Sequence, residues 1–488
     1  MKPISALIVF LVLFLLEEAG CFLQQPKLHQ FQQKLQEKAA QPLPSPVASN
    51  STKRTGSVFY PIGYGADPTG AQDSTDAILC ALNDAFQLES GSELLPGIKD
   101  LGGVVIDLQG GNYKISKPLR FPSGVGNFLV KGGSIRASDT FPGDRHLIEL
   151  WAPTSQLLNP TDNPSNIYHS AQVDQNSGVY YEDVTFHDVL FDSKYRGGGL
   201  LVVDSVRTRL NNCFFLHFTT HGILVQRGHE TFVSNCFLGQ RSTVGGDRRE
   251  KEFSGTGIDL ASNDNAVTDV VIFSAATGII IRGQANIITG VHCYNKATAF
   301  GGVGILVKAA QTRIDNCYLD YNALVIEDPS QVHVSNGFFL GDGNVVLKSI
   351  KGKVSGLNII NNMFSGDPKN GVPIVKLDGK FPNIDQVVID HNNVYGMSSR
   401  STVGRLTVAG NGTRWMVDFS SVLVFPNKIS HFRYSFYAPE AEVANFPAHA
   451  VTNISSNVVI VESERAINGV VSMEVDQHNM VGEGSFPV

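Results

Sequence analysis

An internal repeat between about residues 185 and 395 constrains the fold of this chain more than any other feature of its sequence. The clearest copies have an apolar residue, a polar residue, Asn, then Cys or Gly, then an aromatic residue, and they begin at Leu210, Val233, Ile314 and Val334. Copies recur about every 20 to 34 residues, which suits one strand-turn-strand coil stacked at roughly 4.8 Å on the next. The Leu-x-x-Leu-x-Leu pattern of leucine-rich repeats is missing. The repeat therefore predicts an all-β chain that folds as a right-handed parallel β-helix.

The segments that flank the repeat divide the chain into four parts. Residues 1–22 carry a short, unbroken apolar run after a basic residue, which is typical of a signal peptide and too short to span a bilayer. We expect residues 23–57 to be a leader and Pro/Ser-rich linker, residues 58–410 to be the β-helix, and residues 411–488 to be a small β-rich C-terminal appendage. Helical spacing of apolar residues after Asp73 predicts an N-terminal cap helix on the first coil.

A signal peptide predicts that the mature protein is secreted and extracellular. Asn50, Asn411 and Asn453 each begin an Asn-x-Ser/Thr sequon and are predicted glycosylation sites. The net charge of -7 argues against nucleic-acid binding, which needs a basic face. No later segment reaches membrane length, and no Cys/His spacing is typical of a metal site. We therefore expect a monomer with no metal, no cofactor and no nucleic-acid or membrane partner.

Two columns of the repeat have structural interpretations. The residue before the Cys position is Asn or Asp in most copies, which predicts an asparagine ladder at one turn of every coil; its members are Asp188, Asn212, Asn235, Asp269, Asn316, Asn336 and Asn362, with Gly290. Cys213 and Cys236 occupy the same position on neighbouring coils. They can form a disulfide or remain small buried thiols, and the sequence leaves both alternatives open.

Polar side chains interrupt the apolar strands that follow each repeat. If the second and fourth residues of such a strand point into the core, the third and fifth lie on its outer face. Asp259 is then the one polar member of the third column, and Arg282 and Lys308 lie on adjacent coils in the fifth column. Asp264 follows in the next turn. The pattern predicts that acidic and basic side chains converge on one patch.

Such a patch suits the hydrolysis of an acidic polysaccharide. Glycoside hydrolysis needs two carboxyl groups, about 6.5–9.5 Å apart for inversion and about 5–5.5 Å apart for retention, and we interpret the two aspartates as this catalytic pair. The two basic side chains, with His229 and Glu230 of the preceding coil, are the predicted substrate-binding residues. Alternatively, Asp264 only hydrogen-bonds its own turn, and the basic side chains form a solvated face with Glu327.

Two segments resemble a known family. Tyr64-Gly-Ala-Asp-Pro-Thr-Gly-Ala-Gln-Asp-Ser-Thr-Asp-Ala-Ile is similar to the opening of pectin-lyase-like β-helix enzymes, and Gly102-Gly-Val-Val-Ile-Asp-Leu to their first coil. Within that superfamily the chain most resembles the divergent quartet-type plant polygalacturonases. The resemblance implies hydrolysis of α-1,4-galacturonan in pectin, homogalacturonan as the polymeric partner, and a place in the cell wall or apoplast during wall remodelling and cell separation.

The chain departs from the four motifs of ordinary polygalacturonases. Thr256 stands where the catalytic Asp of their Asn-Thr-Asp motif would stand, and Ala276-Thr-Gly and Gly302-Val-Gly replace the next two motifs. Thr220-His-Gly-Ile resembles their histidine motif but lies too early in the chain. Two alternatives to hydrolysis therefore stay open. One is a pectate-lyase-like β-elimination with an Arg or Lys base, and the other is a non-catalytic pectin-binding β-helix.

Overall fold

A computed structural model describes residues 52–88, 91–155, 157, 178–240, 253–294, 302–439 and 445–478. These residues contain an α-helix, α1 (Thr75–Phe86), a 3-10 helix (Pro61–Tyr64) and the strands β1 to β37. In chain order the strands are β1 (Arg54–Thr55), β2 (Val58–Phe59), β3 (Glu93–Leu95), β4 (Ile98–Asp107), β5 (Asn112–Ile115), β6 (Leu119–Arg120), β7 (Val125–Ala137), β8 (His146–Leu150), β9 (Tyr181–Asp192), β10 (Gly198–Val206), β11 (Arg209–Asn211), β12 (Phe214–Leu216), β13 (His221–His229), β14 (Phe232–Ser234), β15 (Phe237–Gly239), β16 (Thr256–Asn263), β17 (Ala266–Thr268), β18 (Val271–Phe273), β19 (Thr277–Ile281), β20 (Asn286–Thr289), β21 (His292–Tyr294), β22 (Val303–Val307), β23 (Thr312–Asp315), β24 (Tyr318–Asp320), β25 (Ala323–Glu327), β26 (Ser330–Ser335), β27 (Phe338–Leu340), β28 (Val345–Lys348), β29 (Lys353–Ile360), β30 (Met363–Ser365), β31 (Val375–Asp378), β32 (Asn383–Asp390), β33 (Asn393–Tyr395), β34 (Val403–Asp418), β35 (His431–Tyr437), β36 (His449–Ser455) and β37 (Val458–Asp476).

Most of these strands stack in three parallel columns. Sheet A contains β6, β8, β10, β13, β16, β19, β22, β25, β28 and β31. Sheet B contains β7, the first half of β9, β11, β14, β17, β20, β23, β26, β29 and β32. Sheet C contains the second half of β9, then β12, β15, β18, β21, β24, β27, β30 and β33. One strand from each sheet makes one coil, so the predicted parallel β-helix is confirmed.

The core of the β-helix consists of rows of apolar side chains, one from each coil. In sheet A, Ile223, Ile258, Ile279 and Ile305 occupy equivalent positions on successive strands, and all four are fully buried. Alternation along each strand points these side chains inward, where burial of each contributes about 1.5–3 kcal/mol. The same alternation places the residues between them on the outer face of the sheet.

The predicted cap helix is α1. Its apolar face buries Ile78, Leu82 and Phe86 against the first coils, and the Phe86 ring lies 4.9 Å from that of Phe128. Before the helix, Asp73 accepts a hydrogen bond from the backbone N–H of Thr75 at 3.0 Å. A carboxylate at this end also interacts favourably with the helix dipole. The helix closes the N-terminal end of the apolar core.

The predicted asparagine column lies at the tight turn between sheets B and C. Asp188, Asn212, Asn235, Asp269, Asn316 and Asn336 all adopt left-handed backbone conformations, with φ between 51° and 57°. Asn, Asp and Gly tolerate this region best, which explains the composition of the column. In a later coil Asn361, not Asn362, holds the left-handed position. The side chain of Asn362 is instead buried and donates to the Val334 carbonyl oxygen at 3.1 Å.

A second ladder, which the sequence analysis did not predict, lies inside the turn between sheets A and B. Asn265 and Asn286 are buried on neighbouring coils. The Asn265 amide donates to Asn286 Oδ1 at 2.8 Å and to the Ser262 carbonyl oxygen at 2.8 Å, and its Oδ1 accepts from the Thr231 backbone N–H at 2.9 Å. These bonds satisfy backbone groups that the turn leaves without strand partners.

The repeat cysteines are buried thiols. Cys213, Cys236, Cys293 and Cys317 are free and lie in the core. The Cys213 thiol donates to the Asn211 carbonyl oxygen at 3.3 Å, and burial raises its pKa. Of the disulfide and the buried thiols that the sequence allowed for Cys213 and Cys236, the structure contains the buried thiols.

The C-terminal appendage is an antiparallel sheet in which β37 pairs with β34, β35 and β36. Trp415, Val461 and Val471 pack in its separate core. Strand β34 runs through residue 410, so the sheet begins before the predicted boundary. Asn411 and Asn453 are exposed on this sheet, and their glycosylation remains a prediction.

Two predicted segments fall outside the described residues. They are the signal peptide and nearly all of the linker, together with Asn50. Among the residues that the structure describes, no helix is long and apolar enough to cross a membrane.

Candidate active site

One row of side chains runs along the outer face of sheet A, and we call it the outer row. Strand pairing aligns its members on successive strands, and they are Arg120, Glu149, Leu201, Leu224, Asp259, Ile280 and Leu306. As predicted, Asp259 lies between apolar side chains of the neighbouring strands, Leu224 and Ile280. A carboxylate in such a row loses hydration and must find partners on the same face.

Asp259 forms a buried ion pair with Arg282. The guanidinium donates from Nε to Oδ1 at 2.9 Å and from Nη2 to Oδ2 at 2.6 Å. Both side chains are about 3 % exposed. Burial raises the pKa of Asp259, and the charges of Arg282 and Lys308 oppose that rise without cancelling it. The carboxyl group therefore holds a proton more readily than an exposed aspartate does.

Lys308 lies on the coil after Arg282. Its backbone N–H donates to the Ile281 carbonyl oxygen at 2.9 Å, which places the two residues side by side at the end of sheet A strands. The side chain is half-buried, and its charge acts on the Asp259 carboxyl group. The structure therefore brings Asp259, Arg282 and Lys308 together.

His221, from the Thr220-His-Gly-Ile segment, also lies beside Asp259. Its Nε2 is 3.8 Å from Asp259 Oδ2. A Cβ at Gly222 would contact the core side chain of Leu238, and Ile223 is fully buried as well. Two consecutive residues thus face inward, which breaks the alternation of the strand and turns His221 to the outer face.

A second histidine stacks on the first. The rings of His146 and His221 lie 5.9 Å apart on either side of Gly198, where a Cβ would come within 2.4 Å of the His146 ring. Burial lowers the pKa of His146 to about 3, with the neighbouring His221 adding to the effect. Burial and the charge of Arg282 lower the pKa of His221 to about 4. Both imidazoles are therefore neutral at neutral pH.

Asp264 is not near Asp259 in the structure. It is exposed in the turn after β16, and about five residues of extended strand separate the two Cα atoms by roughly 16 Å. This exceeds the separation of an acid/base pair in either class of glycosidase. Its φ of 57° belongs to a left-handed column at this turn, whose other members include Arg207, Glu230, Ala285, Gln311 and Gln331. The turn interpretation of Asp264 replaces the catalytic one.

His229 and Glu230 lie at the far end of β13 from His221. Their side chains are 47 % and 38 % exposed, and His229 Nδ1 is 3.6 Å from Glu230 Oε2. Glu230 also lies 3.6 Å from Arg207. The pair is thus part of the turn region beside Asp264 and lies away from Asp259. Within the described ranges, no group of three or more His, Cys, Asp or Glu residues is arranged to hold a metal ion.

Comparison with solved structures places the chain among right-handed parallel β-helix proteins. It is similar to the Dettilon tailspike protein gp208 with a TM-score of 0.52 and 11 % identity, over 86 % of this chain and 94 % of that one. It is also similar to ORF18 of Geobacillus virus E2 with a TM-score of 0.52 and 11 % identity, over 88 % of this chain and 79 % of that one. At this identity the likeness shows the fold alone. No model of a known protein family matches the chain.

Comparison of sequences identifies the family. The chain is 51 % identical to polygalacturonase QRT3 of Arabidopsis thaliana over 428 residues, which cover 86 % of this chain and 84 % of that protein. The chain therefore belongs to the polygalacturonase QRT3 family. The resemblance inferred from the opening motif and the first coil is confirmed.

Proposed function

We propose that the protein is a secreted polygalacturonase that hydrolyses α-1,4-galacturonan of pectin in the plant cell wall, during wall remodelling and cell separation. The observation that carries this proposal is the 51 % identity to a plant polygalacturonase over most of both chains. The outer face of sheet A supports it, because a buried carboxyl group, cations and imidazoles lie together there.

Asp259 is the proton donor in this proposal. A general acid works best when its pKa lies near the working pH, and burial moves the pKa of Asp259 in that direction. The Arg282 guanidinium holds the carboxyl group in a fixed orientation by two hydrogen bonds. His221, which is neutral, lies 3.8 Å from Asp259 Oδ2, closer than the two catalytic groups of a glycosidase stand, so its role in this proposal is to position the acid. Lys308 supplies a cation for a uronate carboxylate.

A β-elimination mechanism needs a neutral Arg or Lys base. Nε and Nη2 of Arg282 both donate to the Asp259 carboxyl group, and a guanidinium keeps its charge in proteins, which disfavours its use as a base. Lys308 then remains as the candidate base for a lyase. The identity to a polygalacturonase over most of both chains makes hydrolysis the better supported reaction.

Product analysis separates the candidate functions. The full-length protein is incubated with polygalacturonic acid, and both new reducing ends and the ultraviolet absorbance of unsaturated uronides are measured. We expect reducing ends without the chromophore. Reducing ends with the chromophore would indicate a lyase, and neither product would indicate a pectin-binding β-helix.

Secretion to the apoplast and a monomeric state belong to the same proposal. Secretion is tested by expressing the protein in a plant secretory system and measuring the mass of the extracellular protein, which should begin after about residue 22. Retention inside the cell would contradict it. Light scattering of the secreted protein tests the second, and a mass that is a multiple of the chain mass would contradict it.

A further inference from the structure

A charged and aromatic cluster occupies the N-terminal end of the outer row. Arg120 and Glu149 are neighbours in the row itself, and Arg145 and Trp151 flank Glu149 along the chain. Glu149 accepts hydrogen bonds from Arg145 Nε at 2.8 Å, from Arg120 Nε at 3.3 Å and from the Trp151 indole at 3.1 Å. One carboxylate thus fixes two guanidinium groups and one indole on the outer face of sheet A.

Glu149 serves as the anchor of this cluster and does not itself face a ligand. Its side chain is 1 % exposed. Burial acts to raise its pKa, but hydrogen bonds from Arg145 and Trp151 and the charge of Arg145 outweigh this effect and lower the pKa. The ionised carboxylate holds its neighbours in place, as a buried acceptor of several charge-assisted hydrogen bonds does.

The groups around the anchor remain accessible. The Arg120 side chain is 50 % exposed and that of Arg145 is 35 % exposed. The Arg120 guanidinium lies over the Trp151 ring, 3.9 Å from its centroid. Trp151 in turn packs against Leu201 and Leu224, which separate the cluster from Asp259 in the outer row. Arg120 and Arg145 face the carboxylate of Glu149, and the exposed carboxylate of Asp144 also acts on Arg145, so Arg120 is the guanidinium with the more accessible charge.

We propose that Arg120, Arg145 and Trp151 form a uronate-binding subsite for the acidic polysaccharide that reaches Asp259; this inference rests on the proposed function. A planar guanidinium matches a carboxylate through two parallel hydrogen bonds. The indole, whose N–H donates to Glu149 and whose ring lies under Arg120, positions that guanidinium. Four strand spacings separate Arg120 from Asp259, or about 19 Å, on one face of one sheet. A polymer with a carboxylate on every ring can engage the guanidinium groups of the subsite and the cations beside Asp259 at the same time.

The test compares Arg120→Gln with Arg120→Lys and Arg313→Gln in the full-length protein. Arg313 is exposed on β23 of sheet B, so its substitution removes the same charge from another face. Affinity for oligogalacturonate is measured by calorimetry, with a fully methyl-esterified oligomer and an acidic peptide as comparison ligands. We expect Arg120→Gln to bind oligogalacturonate about three- to tenfold more weakly, Arg120→Lys to recover part of the loss, and Arg313→Gln to match the wild type.

Several results would overturn this subsite. They are unchanged binding of oligogalacturonate by Arg120→Gln, an equal loss in Arg313→Gln, an equal loss for the methyl-esterified oligomer, and comparable binding of the acidic peptide. A wild-type protein that binds oligogalacturonate without cleaving it would refute hydrolysis and leave the subsite standing. A wild-type protein that cleaves the polymer equally well with and without Arg120 would refute only the subsite, and one that neither binds nor cleaves it would refute both.

Discussion

The paired histidines of sheet A make the stability of the protein depend on pH. The pKa of His146 is about 3 and that of His221 about 4 in the folded protein, against an ordinary value near 6.5 in the unfolded chain. Below about pH 6.5 the unfolded chain therefore binds protons that the folded protein rejects, and stability falls as the pH falls toward the folded values. Between pH 7 and pH 5 this linkage costs about 2 kcal/mol for each histidine.

His146→Gln isolates one half of this effect. Urea unfolding at pH 7 and pH 5 should show that the variant loses about 2 kcal/mol less stability over this interval than the wild type. His391→Gln is the matched control, because His391 is 79 % exposed and its substitution should leave the pH dependence unchanged. If stability falls equally in His146→Gln and in the wild type, the buried neutral state of His146 is refuted.

Two further experiments, one substitution and one labelling, test the interior of the β-helix. Asn265→Ala should lower the free energy of unfolding by about 1–3 kcal/mol, because the Thr231 backbone N–H loses its acceptor inside the turn. Urea unfolding measures this loss, and a value below about 0.5 kcal/mol would contradict the ladder. Among the cysteines of the described ranges, only Cys80 is exposed, so mass spectrometry after brief thiol alkylation of the native protein should find the label there and not on the four core thiols. Rapid native labelling of Cys213 would contradict the packed core.

The fold could be predicted from the sequence because each coil repeats the same local requirements. The left-handed turn between sheets B and C needs Asn, Asp or Gly in every coil, and this requirement appears as a column in the repeat. The ladder of Asn265 and Asn286 left a weaker signal, because Thr and apolar residues take the same position in other coils.

The candidate site could be predicted only in part. Simple alternation placed Asp259 correctly, since β16 pairs regularly with β19 around it, and Arg282 follows directly after β19, where its N–H still donates to the Leu260 carbonyl oxygen. The position of His221 does not follow from simple alternation, because Gly222 and Ile223 both face inward before the regular part of β13 begins. The sequence left both interpretations of Asp264 open, because a catalytic aspartate and a left-handed turn aspartate look alike in a sequence. The Glu149 cluster depends on a pairing of β6 with β8 across a long stretch of chain, which no local pattern indicates.

Release of reducing ends from polygalacturonic acid by Asp259→Asn and Asp264→Asn tests the central claim most directly. The substituted amide keeps the shape of the carboxyl group but cannot donate a proton to the leaving oxygen, so Asp259→Asn should lose about 10²- to 10⁴-fold in rate. Asp264→Asn should retain the wild-type rate, since Asn is equally suited to its left-handed turn. Thermal unfolding of both variants is measured alongside, to establish that each is folded. Full activity in a folded Asp259→Asn would contradict the account.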